Sequence, residues 1–153
     1  MSAALLTART AAVDEIATYL VPRASQLTRL LLSRGSRTIT RAEGGLLSTL
    51  HAGPRRITEL AATEVLAQPT VTQLVDRMQK RGLVERGRDA SDGRVVLVSI
   101  TEAGREALAQ VRAEYRAQLR DAVEDLPDVE LAALVSATES LKRLIDAVQE
   151  SRP

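Results

Sequence analysis

The sequence predicts a mainly α-helical (α+β) fold, and three observations carry that class. Apolar residues recur at three and four spacing over most of the 153 residues, the period of a helix with one buried face. One stretch, LVERGRDASDGRVVLVSI at residues 83–100, breaks that period with β-branched residues around a polar turn, which is the pattern of a hairpin. Near the C-terminus Leu131, Leu134, Thr138, Leu141, Ile145 and Val148 follow steps of 3, 4, 3, 4 and 3, the seam of a helix that packs on another helix.

Composition narrows the function classes. With no Phe, no Trp and only Tyr19 and Tyr115 the core must be aliphatic, and single-strand binding by aromatic stacking is disfavoured. The absence of cysteine excludes disulfides, thiolate metal sites and thiol redox sensing. A single histidine disfavours a metal-sensing cluster, so no metal and no cofactor is expected. The N-terminal MSAALLTARTAAVDEIATYL carries Asp14 and Glu15 and lacks the order of an export signal, and no apolar run reaches the ~20 residues of a membrane span. A cytoplasmic protein with no membrane partner is the expectation.

Net charge is +1, but it is unevenly spread. Arg23 to Arg94 holds 13 Lys or Arg against 7 Asp or Glu, a net +6, whereas Glu102 to Glu150 holds 6 against 11, a net −5. A basic middle suits a polyanionic partner, although solvated surfaces alone produce the same counts.

Taken in order, residues 8 to 34 read as helical through Val13, Ile16, Ala17, Leu20, Leu27, Leu30 and Leu31, with Pro22 predicting a kink or a boundary near Val21. Ser33 to Thr40 is a loop by composition. Thr40 and Glu43 form a T-x-x-E capping box for a short helix to about His51, in which Leu46, Leu47 and Leu50 face inward and Gly44 and Gly45 each cost about 1 kcal/mol against alanine. Thr58 is placed to cap the next helix, with Leu60 and Ala61 inward. Pro69 opens another, with Val71, Leu74, Val75 and Met78 as its core stripe and Gly82 at its end. Leu83 to Arg86 and Val95 to Ile100 are the strands. Thr101 caps a helix to about Val123, and Pro127 opens the last, to about Val148.

Three parts follow: a helical arm over 1–36, a reader over 37–101 and a helical region over 102–153. The C-terminal seam needs a partner helix, either Val13 to Leu31 of the same chain or a copy in a second chain. A homodimer is expected, with Val13, Ile16, Leu20, Leu131, Leu134, Leu141, Ile145 and Val148 at its interface.

The chemistry lies in the middle part. Two short helices joined by a tight turn, the second opening with polar residues, follow helix-turn-helix logic, and the core stripe leaves Thr70, Thr72, Gln73, Asp76, Arg77 and Lys80 outward. Gln73 suits an adenine edge, the threonines several bases, and Arg77 and Lys80 phosphate or guanine. A β-ribbon directly after the second helix makes a winged helix-turn-helix with a two-stranded β-wing and long N- and C-terminal dimerisation helices. In the wing turn GRDASDGR, Arg94 suits a narrow minor groove with Asp92 as its support, and Arg88 adds a second cation.

From Thr40 to Gly104 the chain resembles the MarR family (multiple antibiotic resistance regulator) of bacterial winged-helix regulators, through ITELA, QPTVTQLVDRMQKRGLVER and D-x-R followed by VVLVSITEAG. The resemblance implies a homodimer on a palindromic operator in double-stranded DNA, with Gln68, Thr70, Thr72 and Gln73 near base edges, Arg77 near the backbone and Arg94 in the minor groove. It also implies a small organic effector that lowers DNA affinity, whose cleft His51, Tyr19 or Tyr115 could line. One departure is Val65, where such turns usually place glycine. No P-loop, G-x-G-x-x-G or H-E-x-x-H occurs, so an enzyme is not expected; the rival is a winged-helix protein-interaction module that never meets DNA.

Overall fold

The computed structural model describes residues 3–34, 39–89 and 92–151. The chain falls into two compact units, Met1–Tyr115 and Arg116–Pro153. Six helices and two strands run in the order α1 (Ala3–Arg34), α2 (Arg41–His51), α3 (Ile57–Glu64), α4 (Gln68–Lys80), β1 (Val84–Arg88), β2 (Val96–Ile100), α5 (Glu102–Val123) and α6 (Asp128–Glu150). The mainly α class and the winged-helix arrangement are as the sequence predicts.

Helix α1 is continuous over 32 residues with Pro22 inside it, so the boundary allowed near Val21 does not occur. Of the loop expected from Ser33 to Thr40, Ser33 and Arg34 instead belong to α1, and residues 35–38 lie outside the described residues, as does the wing tip at 90–91. Helix α2 starts on the predicted box: the Thr40 amide donates to Glu43 Oε2 at 2.7 Å and the Glu43 amide to Thr40 Oγ1 at 3.3 Å. Helix α3 corrects the sequence reading. It begins two residues earlier, at Ile57 with Arg56 in the cap position, and the carboxylate of Glu59 accepts from the Arg56 amide at 3.0 Å, so Thr58 is inside the helix and does not cap it. A glutamate two residues into a helix satisfies an orphan donor as well as a capping hydroxyl does.

The core sits inside the first unit. Leu46, Leu47 and Leu50 of α2, Leu60 of α3, Val71, Val75 and Met78 of α4, and Val84 and Val98 of the hairpin are fully buried, with Ala107, Leu108 and Val111 of α5 packed on the same cluster. The strands pair antiparallel with Val84 opposite Ile100 and Arg88 opposite Val96. Strand β1 runs two residues past the predicted Arg86, because Gly87 and Arg88 find partners in Leu97 and Val96. On the other edge of β2, Arg55 exchanges both backbone bonds with Val98, at 3.0 and 2.8 Å, adding a one-residue third strand that no sequence pattern announced.

Helix α5 is tied to the hairpin by Thr101, whose hydroxyl donates to the Gly82 carbonyl at 2.6 Å and accepts from the Gly104 amide at 3.1 Å. Gly104 lies so close to the Leu83 carbonyl that a Cβ there would collide with main chain. Within the second unit, no residue of α6 is buried. No helix of the described residues is long and apolar enough to cross a membrane.

Candidate nucleic-acid interface

Helices α3 and α4 are joined by residues 65–67, and the geometry of that join sets the aim of α4. Val65 adopts φ 54°, ψ 44°, the left-handed conformation that glycine normally supplies, and is the one non-glycine residue at positive φ among those described. Its amide and that of Leu66 both donate to the Ala61 carbonyl, so the turn closes on hydrogen bonds despite a β-branched side chain. The glycine-type turn is therefore kept without glycine. Val65 contributes no packing in return, being 72% exposed.

Helix α4 opens with Pro69 in its first turn and buries Val71, Leu74, Val75 and Met78. That stripe fixes the opposite face. Gln68, Thr70, Gln73, Asp76, Arg77 and Lys80 are exposed, while Thr72 is half-buried and its hydroxyl donates to the Gln68 carbonyl at 3.0 Å. Thr72 therefore presents chiefly its methyl group and a hydroxyl lone pair. The row can read a groove through amide, hydroxyl and cationic groups in one helical turn after another.

The wing presents Arg88, Asp92 and Arg94, all exposed. Asp92 acts on the main chain of Arg94: its Oδ1 accepts from the Arg94 amide at 3.0 Å, and its own amide donates to Asp89 Oδ1 at 3.4 Å. Where the sequence suggested a carboxylate gripping the guanidinium, the recorded bond fixes the backbone from which the guanidinium projects. The Asp89 amide, bonded to the Val95 carbonyl at 2.9 Å, closes the hairpin. Asx-type side-chain bonds of this kind stiffen a turn by substituting for a backbone ladder.

Two polar ties were not legible in the sequence. Arg86 of β1 bonds Asp76 and Gln79 of α4. Glu43, only 3% exposed, pairs through Oε1 with Arg81 Nη1 at 2.8 Å, linking the start of α2 to the end of α4. Burial pushes the Glu43 carboxyl up, but the Thr40 amide, the Arg81 guanidinium and the Thr40 hydroxyl outweigh that and hold its pKa below the ordinary 4.5.

A cavity of ≈ 670 Å³ opens beside the reader, walled by Ile39, Leu66, Leu108, Val111 and Tyr115 and edged by Glu64 and Arg112. Gly45 forms part of its floor: a Cβ there would stand 2.5 Å from Glu64 Oε2, so the glycine leaves room for a carboxylate that also accepts from Thr49 Oγ1 at 2.8 Å. Tyr115 keeps its phenol proton more firmly than usual, through burial and the nearby Glu114. Of the three residues suggested for a cleft, Tyr115 lines this cavity; His51 and Tyr19 do not.

The interface-type residues Val13, Ile16, Leu134, Leu141, Ile145 and Val148 are exposed, and Leu20 and Leu131 are half-buried.

The chain is similar to known proteins. The model of the MarR family matches residues 38–95. An HTH-type transcriptional regulator of Bacillus subtilis, YsmB, is 39% identical over 88 residues, which are 58% of this chain and 60% of that protein. An HTH-type transcriptional regulator of Mycobacterium tuberculosis is 29% identical over 123 residues, covering 79% of this chain and 86% of its own. Among solved structures, a MarR family protein from Bacillus stearothermophilus superposes with a TM-score of 0.69 at 26% identity, covering 92% of this chain and 97% of the other. The PcaV transcriptional regulator of Streptomyces coelicolor, solved in complex with its natural ligand, shares the fold at a TM-score of 0.59 and 24% identity over 87% of this chain and 96% of its own. Residues 38–95 thus match the MarR family, and the fold is shared with a MarR family protein over 92% of this chain.

Proposed function

We propose that the protein is a homodimeric, sequence-specific regulator of transcription that represses from a palindromic operator and is released by a small organic ligand. The observation that carries this reading is the outward row on α4, Gln68, Thr70, Gln73, Arg77 and Lys80, backed by a sealed apolar core and followed by a stiffened wing that projects Arg94. Phosphate contacts from the cations supply salt-dependent affinity, the amide and hydroxyl groups on α4 select bases, and Arg94 enters the minor groove.

Dimerisation is supported by the uncovered stripes on α1 and α6, which give two readers one two-fold axis and so a palindromic site. Ligand release is supported by the cavity, whose wall includes Glu64 and Leu66 on either side of Val65. A ligand seated there presses on the turn that aims α4. PcaV, with its natural ligand bound, offers a precedent for a small molecule on this fold.

The test is selection from random duplexes, followed by gel shifts of the selected and a scrambled duplex at two salt concentrations. Selective binding that weakens with salt is expected, and Arg94→Ala reduces it by about 1–3 kcal/mol while leaving the oligomer unchanged. No binding of any duplex at low salt would favour the protein-interaction module instead.

A further inference from the structure

The wing and the reading helix are joined by one guanidinium. Arg86, opposite Val98 in the hairpin, donates from Nη2 to Asp76 Oδ1 at 2.6 Å and from Nη1 to Gln79 Oε1 at 2.5 Å. Asp76 is the one acid in α4 and stands next to Arg77 on the face expected to meet DNA. Its side chain is 50% exposed, that of Arg86 only 26%.

An ion pair this close to solvent contributes little to stability, so its value must lie elsewhere. Two consequences follow from the geometry. A bare carboxylate on this face would repel phosphate and offset Arg77, and the guanidinium cancels that charge. A planar fork that reaches two acceptors three residues apart on α4 also fixes how β1 lies against the helix, which a point charge would not do.

We propose that Arg86 is a positioning residue of the DNA reader: it masks the charge of Asp76 and locks the wing to α4, so that Arg77, Lys80 and Arg94 meet the duplex as one surface. The inference rests on the DNA-binding reading above. It assigns Asp76 and Gln79 to holding the wing, not to reading bases, and keeps Arg86 off the phosphates.

The mask has a sign that a mere staple lacks. Removing the charge of Asp76 frees a guanidinium for phosphate, so binding to random-sequence duplex tightens. Removing Arg86 exposes a carboxylate to phosphate, so the same binding weakens. A staple with no electrostatic role lowers binding in both cases.

The experiment measures full-length wild type, Asp76→Asn, Arg86→Met, Arg86→Lys and the Asp76→Asn/Arg86→Met double variant against a random-sequence duplex and a duplex selected from a random pool, across salt. On random duplex, Asp76→Asn is expected to bind several-fold tighter, with a salt slope steeper by about 1, and Arg86→Met about tenfold weaker. The charge-balanced double variant and Arg86→Lys stay near wild type there, yet bind the selected duplex about tenfold more weakly because the fork is lost.

Single variants that shift random-duplex binding in the same direction, or not at all, overturn the mask. A double variant that binds the selected duplex like wild type overturns the lock. Melting curves check folding, and if Arg86→Met does not fold, Asp76→Asn and Arg86→Lys still carry both contrasts. Wild type that binds neither duplex sinks the DNA reading itself, and this inference with it, a result distinct from wild type binding while the variants fail to diverge.

Discussion

The winged helix and the terminal helices treat their apolar side chains in opposite ways. In the reader, Leu46, Leu47, Leu50, Leu60, Val71, Val75, Met78, Val84 and Val98 are sealed from water within one chain. On α6, no residue is buried, and Leu134, Leu141, Ile145 and Val148 remain between 40% and 54% exposed. Helix α1 is alike, with Val13 and Ile16 open. A heptad-spaced stripe left in water forgoes about 25 cal/mol for each Å² it could bury. The reader is thus complete as a single chain, whereas the terminal stripes are complete only against a further surface, which the proposed homodimer supplies.

The sharpest way to break this contrast is Leu141→Asp. A charge forced into a helix seam without a partner costs about 3–5 kcal/mol, and two-fold symmetry applies it twice. Light scattering is expected to report a monomer while the circular dichroism of the reader persists. An unchanged dimer places the interface elsewhere. Leu60→Ala probes the other region: it empties a fully buried site in α3 and is expected to remove about 2–5 kcal/mol of stability in denaturant titrations, with no shift in the dissociation constant of the dimer.

Glu43→Gln tests a smaller part of the reader, the tie between the start of α2 and the end of α4. Losing the charge of a buried, hydrogen-bonded pair is expected to cost about 1–3 kcal/mol at neutral pH. The pH dependence follows from the depressed pKa. Its folded-state value lies below the ordinary 4.5, so Glu43 contributes full stability above about 4.5 and loses it as pH falls through the folded-state pKa. Urea titrations from neutral pH to acid should therefore show a shallower acid limb for Glu43→Gln than for wild type. Parallel limbs would mean that Glu43 gives no linkage.

These regions also differ in how far the sequence revealed them. Burial at period 3.6 is written into Val71, Leu74, Val75 and Met78, and the capping box into Thr40 and Glu43, because both are local patterns. Pro22 allowed two outcomes, and local chemistry could not choose between them: the removed hydrogen bond is one among many in a helix of 32 residues. Thr58 misled because a glutamate at position 59 caps as well as a hydroxyl does. Contacts between residues distant in sequence left almost no trace. Gly45 read as a weakness in a helix, whereas the fold uses its missing Cβ to seat Glu64. Arg86 gave no sign of its partners on α4, and Arg55 none of its bridge to Val98. Each depends on which elements meet, which periodicity does not encode.

The least effect is expected at the join between α3 and α4, where the reader departs from the economy of its core. Val65 holds φ 54° with a branched side chain that is 72% exposed, so replacing it removes strain and almost no burial. Left-handed strain for a non-glycine residue is about 1–3 kcal/mol, and the extra chain entropy lost by glycine returns about 0.5–1 kcal/mol of that. Val65→Gly is therefore expected to stabilise the folded chain by roughly 1 kcal/mol, seen as a rise of about 2–4 °C in melting temperature. The hydrogen bonds from residues 65 and 66 to Ala61 survive the change, so the aim of α4 should persist and affinity for a selected duplex should stay within a few-fold of wild type. If melting temperature falls instead, the valine is stabilising the turn, and the left-handed conformation is not a source of strain.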